Sequence, residues 1–220
     1  MKERPILFSA PMVRALLAGT KTQTRRLVKF PRTRDSFVLE DHGSGWWPYQ
    51  SDDGESSLCD DGMERPYSSP YGMPGDRLWV KETGWQRPER TPKMMREGAD
   101  TWAPYYFDAD GLDEQDHADF KAWGFKRRPS IFMPRECSRI TLEVTGVRVE
   151  RLNDISEVDA REEGCGFLLA AYEQWDGDPD LYRKLYRVLW EQINGPNSWA
   201  LNPWVWVVEF KRLTARAKGE

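Results

Sequence analysis

Apolar positions along the chain fall into short runs of two distinct periods, separated by two long stretches with no sustained period. Residues 5–8 (Pro-Ile-Leu-Phe) predict a short first strand. Ser9 or Ala10 then opens a helix with Pro11 in its first turn, where a missing N–H costs nothing. Val13, Leu16 and Leu17 share one face of that helix, and Gly19 supplies a left-handed stop. "PGDRLWVKETGW" (Pro74 to Trp85) reads as a turn feeding a strand, with Leu78 and Val80 on one side and Trp79 and Lys81 on the other. In "SRITLEVTGVRVERL", Ile140, Leu142 and Val144 alternate with polar residues, and Val147 and Val149 resume out of phase beyond Gly146, which predicts a bulge or bend. Ser156 with Asp159 resembles a capping box for a short helix ending at Gly164. Pro179 opens a longer helix with Leu181, Leu185, Val188 and Leu189 on one stripe and a stop at Asn194-Gly195. "NPWVWVVEFKRL" reads as a buried strand ending in charge.

Residues 40–75, rich in Gly, Ser, Asp, Pro and Tyr, predict a long surface insertion partly ordered by Trp46, Trp47, Tyr67 and Tyr71. Residues 86–128 predict a second insertion with a short helix near Asp116–Trp123. Strands that outnumber and surround short helices place the chain in the α+β class, as a small twisted sheet or barrel. The expected organisation is one domain over residues 1–213, with insertions at about 40–73 and 86–128 and a flexible tail at 214–220.

Composition narrows the function classes. No apolar stretch approaches the ~20 residues of a membrane span, and the short run after Met1 is interrupted by Pro11, so neither a membrane segment nor a signal peptide is expected. Cys59, Cys137 and Cys165 are widely spaced with no CxxC pair, which favours a reducing cytosol over a disulfide framework or zinc knuckle. His42 and His117 lie in acidic, loop-like sequence, so no metal site is expected. The net charge of −4 disfavours a nonspecific duplex binder, but the charge is segregated. Residues 1–34 carry nine Lys or Arg against the single Glu3, whereas Glu40 to Asp61 hold seven acids and no Lys or Arg. A second acidic run, Asp108 to Asp119, precedes a second basic one, Lys121 to Arg139. Either a local positive field results, or the neighbouring runs neutralise each other on the surface.

The first basic run contains "GTKTQTRR" (Gly19 to Arg26), with one lysine, three threonines and paired arginines beyond a helix C-terminus that favours cations. Two readings are open: a solvated turn whose threonines bond local backbone, or the wall of a pocket for an anion or nucleotide.

Taken in order, "GTKTQTRR", "PGDRLWVKET", "RITLEVTGVRVERLNDIS" leading into "DAREEG", and "NPWVWVVEF" resemble an ASCH domain. That family has a PUA-like β-barrel fold associated with RNA and nucleoside handling, and the version with long insertions is similar to one common in phage and prophage genomes. The resemblance covers most of the chain except about 40–70 and 86–128. It implies a PUA-like small twisted β-barrel with peripheral helices, no cofactor, a nucleoside or single-stranded RNA as partner, and a cytoplasmic protein in a bacterial host. Small bacterial members hydrolyse N4-acetylcytidine using a lysine, a threonine three residues later, and a glutamate after the long β segment. Here "KTQT" places Lys21 and Thr24 at that spacing, and "DAREEG" offers Glu163, with Glu162 as the neighbouring alternative. Other members are proposed to bind RNA, and some to cleave it.

The implied chemistry is coherent. A threonine hydroxyl needs a base, and a lysine with a depressed pKa in a dry pocket can serve, while a carboxylate orients it or shuttles a proton. Arg25 and Arg26 are candidates for phosphate contact, Arg25 also for an oxyanion. Trp79, Lys81 and Glu82 form a second constellation in which Trp79 could stack on a base. Ser130, Arg135, Ser138 and Arg139 form a third, in a basic loop suited to a nucleotide backbone. Trp190, Trp199, Trp204 and Trp206 read as barrel core, and Cys165 as a buried thiol. The functional expectations are therefore an amidohydrolase acting on a modified cytidine, a non-catalytic reader of RNA or modified bases, or a metal-independent ribonuclease.

Overall fold

Four consecutive apolar residues, Val205 to Val208, are all buried, as a strand covered on both faces requires. They belong to β11 (Trp204–Leu213), an inner strand of a five-stranded sheet. The protein was analysed as a computed structural model that describes residues 1–30, 36–41, 43, 45–88, 96, 103–175 and 177–213. His42, Arg32, Arg34 and the tail at 214–220 lie outside the described residues.

The main sheet has the order β1 (Glu3–Leu7), β6 (Arg77–Lys81), β10 (Thr141–Arg151), β11 and β2 (Gln23–Leu27). Only β1 and β6 run parallel; the other three pairings are antiparallel. The bulge expected at Gly146 is present. Val144 pairs with Phe210 and Gly146 with Glu209, so Thr145 is the extra residue. Buried positions accordingly switch from Leu142 and Val144 to Val149. The segment read as a turn or pocket wall is in fact largely strand, because Gln23 to Leu27 pair along the free edge of β11.

The fold is mixed α+β, with several sheets and no closed barrel. Among the described residues β1 and β2 remain edge strands, and no backbone ladder joins them. A side chain spans that gap instead: Arg26 donates from Nη2 to the Leu7 carbonyl at 2.8 Å. Among the described residues the barrel closure implied by the resemblance is thus not found.

Helix α1 (Ala10–Leu17) buries Met12, Val13, Ala15 and Leu16 against this sheet. Both expected insertions carry structure that their sequence did not announce. The first forms an antiparallel sheet of β3 (Ser36–Asp41), β4 (Trp46–Ser51) and β5 (Arg65–Pro66). It is anchored by aromatic contacts, Trp47 meeting Trp206 with ring centroids 5.1 Å apart and Trp46 meeting Trp204 at 5.0 Å. The second pairs β7 (Gly84–Gln86) with β8 (Tyr105–Phe107) and β9 (Lys126–Arg128). Trp85 and Phe125 form a small core of their own there, beside α2 (Glu114–Ala122). Aromatic cross-links, rather than a regular apolar period, hold these sheets, which explains why periodicity missed them.

Two further helices cover the main sheet: α3 (Glu157–Glu162) and α4 (Leu181–Asn194). Ser156 accepts from the Asp159 amide and caps α3, but Asp159 turns its own carboxylate elsewhere. The buried face of α4 is Leu185, Tyr186, Leu189 and Trp190, a stripe rotated from the expected one toward two aromatic residues. Of the tryptophans expected in the core, Trp206 and Trp190 are buried and Trp199 and Trp204 pack at its margin. Among the described residues no helix is long and apolar enough to cross a membrane.

Leu142 is fully buried at the centre of the sheet. Leu142→Ala should lower the unfolding free energy by about 2–5 kcal/mol, whereas Leu201→Ala, at an exposed position, should change it by less than about 0.5 kcal/mol. Urea denaturation of the two variants checks this contrast.

Candidate functional site

The chain leaves α1 through Gly19, and the Thr20 and Lys21 amides both donate to the Ala15 carbonyl. The backbone then lies against the end of α3. Lys21 forms an antiparallel bridge with Glu163, and the Thr22 amide donates to the Glu162 carbonyl at 3.0 Å. Gly164 makes this approach feasible. Its φ is +77°, and a Cβ there would sit 2.8 Å from the Lys21 Cβ and 2.9 Å from that of Ala15, closer than any side chain tolerates.

Lys21 and Glu163 are 4% and 3% exposed, and the ammonium meets the carboxylate Oε2 at 2.9 Å. Two residues 142 positions apart therefore share one interior site. Lys21 Nζ also donates to the carbonyls of Gln23 (2.9 Å) and Glu163 (2.7 Å), so all three of its N–H donors are engaged. Burial pulls the Lys21 pKa below its ordinary value, against the charge and hydrogen bond of Glu163, which push it up. Of the two candidate acids Glu163 meets Lys21, whereas the half-buried Glu162 accepts from Gln23 Nε2 at 2.9 Å.

Arg25 lies behind this pair with a fully buried side chain. Its Nε and Nη2 donate to Glu150 Oε1 at 2.9 and 2.6 Å, and Nη2 also reaches Asp159 at 3.2 Å. Nη1 reaches Glu163 Oε1 at 3.2 Å and Gln23 Oε1 at 3.4 Å. With these donors committed to three carboxylates and an amide, Arg25 is an internal counter-ion, and the sequence expectation of a phosphate or oxyanion grip is not met by this arrangement. Arg148 extends the network to Glu150, Asp159 and Glu209. Burial alone would raise the Asp159 carboxyl, but the Gln23 amide and the Arg25 charge hold it below the ordinary carboxylate range.

Of these groups Lys21, Arg25 and Glu163 line a cavity of about 380 Å³. Phe8, Met12, Leu189 and Trp190 supply apolar wall, while Tyr67, Pro70 and Tyr71 reach over it from the first insertion. Thr24, on β2, lines it as well. Thr24 is 2% exposed, and its hydroxyl bonds no described residue and is not sealed from the cavity space. The same holds for Tyr186, 3% exposed, on α4. Burial first, and then the Glu163 charge, raise the Tyr186 phenol well above its ordinary pKa, so it stays a protonated donor. Arg26 and Lys29 stand among the lining residues too. Sequence reasoning missed Gln23, Glu150, Asp159 and Tyr186. For Tyr186 a signal existed, its four-residue spacing to Trp190; the others depend on long-range pairing.

The remaining sequence candidates are elsewhere, and none lines this cavity. Trp79 and Lys81 share a face of β6, as expected, with the Lys81 ammonium and the Arg135 guanidinium 5.4 and 5.6 Å from the Trp79 ring centroid. Lys81 donates to the Ile131 carbonyl, and Arg135 pairs with Glu3 at 3.1 Å. Glu82 is buried just beyond the strand and receives both Nε (3.2 Å) and Nη2 (2.9 Å) of Arg139, which also binds Asp110. The Ser138 hydroxyl lies 2.8 Å from the Val80 carbonyl, and the Ser130 amide donates to Thr83 Oγ1. Trp79, Lys81, Glu82, Ser130, Arg135, Ser138 and Arg139 thus brace β6 and the second insertion, and are not brought together with Lys21 and Thr24.

Cys165 is buried with its Sγ 3.2 Å from the Ala160 carbonyl, and burial pushes its pKa up to about 12. His117 accepts from Trp85 Nε1 at 2.7 Å. Among the described residues no cluster of three or more His, Cys, Asp or Glu is arranged to hold a metal ion. Comparison of the chain with protein-family models, curated proteins and solved structures found no match. The likeness to the ASCH domain therefore rests on the motifs quoted above.

Replacing Arg25 by Gln leaves three carboxylates without their common cation, which should cost about 3–5 kcal/mol at pH 7. Because the Asp159 pKa is depressed in the fold, its stabilisation is present above the ordinary carboxylate pKa and is lost as pH falls through the depressed value. Arg25→Gln should therefore lose less relative to wild type at about pH 3, below the ordinary carboxylate pKa, than at pH 7, read by urea denaturation at both.

Proposed function

We propose that this cavity binds a pyrimidine nucleoside and hydrolyses an acyl–amine bond on it, of the N4-acetylcytidine kind. The observation that carries the reading is the Lys21 ammonium 2.9 Å from Glu163 Oε2 at a cavity that Thr24 also lines, its hydroxyl without a partner among the described residues. Lys21 transfers a proton from Nζ to Glu163, and its freed lone pair then takes the Thr24 hydroxyl proton as Oγ1 attacks the acyl carbon. The new C–O bond makes a tetrahedral oxyanion, for which the Tyr186 hydroxyl, with no hydrogen-bond partner among the described residues, is a donor in the same cavity. Collapse breaks the C–N bond, Lys21 returns the proton to the leaving amine, and water then hydrolyses the threonine ester. The lowered pKa of Lys21 supports its part, since a base must first lose its own proton.

A second reading, a reader that binds a modified base or single-stranded RNA end without turnover, is favoured by one specific feature. All three Lys21 donors are already engaged, and the Thr24 hydroxyl is not hydrogen bonded to it.

Purified protein incubated with N4-acetylcytidine should release cytidine and acetate. Thr24→Val, which keeps the shape and deletes the hydroxyl, should reduce the rate by about 100-fold or more while the protein stays folded by circular dichroism. Saturable binding with no product supports the reader, and a fully active Thr24→Val protein removes the threonine mechanism.

A further inference from the structure

The cavity's polar groups divide by whether they are already partnered. Glu163 is its sole carboxylate among the described lining residues, and its two oxygens accept from Lys21 and Arg25. Lys21 and Arg25 are in turn committed to internal partners. The remaining polar groups include several that can donate. Thr24 and Tyr186 line the cavity, and neither hydroxyl has a hydrogen-bond partner among the described residues. Arg26 uses one nitrogen to reach the Leu7 carbonyl and lies 5.3 Å from the Phe8 ring centroid, with no carboxylate partner among the described residues. Lys29 is exposed and has no ion pair among the described residues. Two cations on the cavity wall thus have no ion-pair partner among the described residues, whereas Lys21 and Arg25 are paired internally.

A neutral nucleoside would leave both cations without a counter-charge. A phosphate monoester carries close to two negative charges and several strong acceptor oxygens, matching one guanidinium and one ammonium. Tyr67 and Tyr71 of the first insertion and Tyr186, Leu189 and Trp190 of α4 all line the space. Building on the nucleoside reading above, we infer that the ligand is a nucleotide whose phosphate monoester is held by Arg26 and Lys29, its base directed toward Thr24 and Tyr186. Arg26 already holds its guanidinium in place through Leu7 and Phe8, so little side-chain freedom is lost on binding.

Titration calorimetry with cytidine, cytidine 5′-monophosphate, inorganic phosphate and a short single-stranded oligoribonucleotide tests this. The monophosphate should bind about tenfold or more tightly than cytidine at low salt, with the ratio shrinking as salt rises. Arg26→Gln and Lys29→Gln should each bring the ratio toward one; Lys29 is exposed, so that variant reports binding free of any folding defect. Competition by inorganic phosphate against the monophosphate supports a phosphate site. An oligoribonucleotide that binds more tightly than the monophosphate would assign the phosphate to an RNA end; weaker binding assigns it to a free nucleotide. If cytidine binds and the monophosphate binds no better, or if both substitutions leave the ratio intact, the inference falls alone. If neither cytidine nor the monophosphate binds, the nucleoside reading falls and takes it along.

Discussion

The Glu163 carboxylate is shared by two buried cations, Lys21 through one oxygen and Arg25 through the other. Charges taken out of water are tolerated only when paired and hydrogen bonded, and that constraint reaches through the fold. It requires the segment after α1 to lie against the end of α3, which in turn requires a residue without a side chain at Gly164. It also draws Glu150 from β10 and Asp159 from α3 onto Arg25 of β2. Two stretches distant in sequence, Lys21 to Arg25 and Glu150 to Glu163, are thereby held in one arrangement. Such a network is weak evidence for high stability, because an apolar core of equal volume does as well. Its more specific consequence is positional, since it holds Lys21 and Glu163 in contact beside Thr24.

The two insertions differ in their relation to that site. The first reaches the main core through Trp46 and Trp47 and supplies Tyr67 and Tyr71 to the cavity wall. The second carries its own small core around Trp85 and Phe125. Where it meets β6, Glu82 is buried beneath Arg139, and burial raises its pKa against that guanidinium. Arg127, Arg128, Arg135 and Arg139 there are engaged with carboxylates, an amide oxygen or aromatic rings, so these arginines of the second basic run serve as local braces. The first basic run is split: Arg25 turns inward, whereas Arg26 and Lys29 keep their charge uncompensated by any described acid.

Much of the framework was legible from periodicity. β1, α1, β6, the bulged β10, α3, α4 and β11 lie close to where apolar spacing, capping residues and glycine stops indicated, because those signals act over a few residues. The two small sheets of the insertions were not legible, since they depend on aromatic cross-links such as Trp47 on Trp206 rather than on a repeating pattern. β2 was missed for a related reason. "QTRRL" has polar residues where a strand's buried positions fall, and Gln23 and Arg25 are buried only because partners arrive from Glu150, Asp159 and Glu163.

For the site, the chain by itself determined which groups were available: a lysine and a threonine three residues apart, a run of cations after the first helix, and paired glutamates before Gly164. Tertiary structure decided which of them meet. It selected Glu163 over Glu162, turned Arg25 from a candidate ligand contact into an internal counter-ion, left the Trp79 and Arg139 groups outside the cavity, and brought in Tyr186. The physical reason is range. Backbone periodicity and capping are encoded within one or two turns of chain, whereas the partner that neutralises a buried charge can come from anywhere in the polypeptide, and only the folded packing says which one arrives.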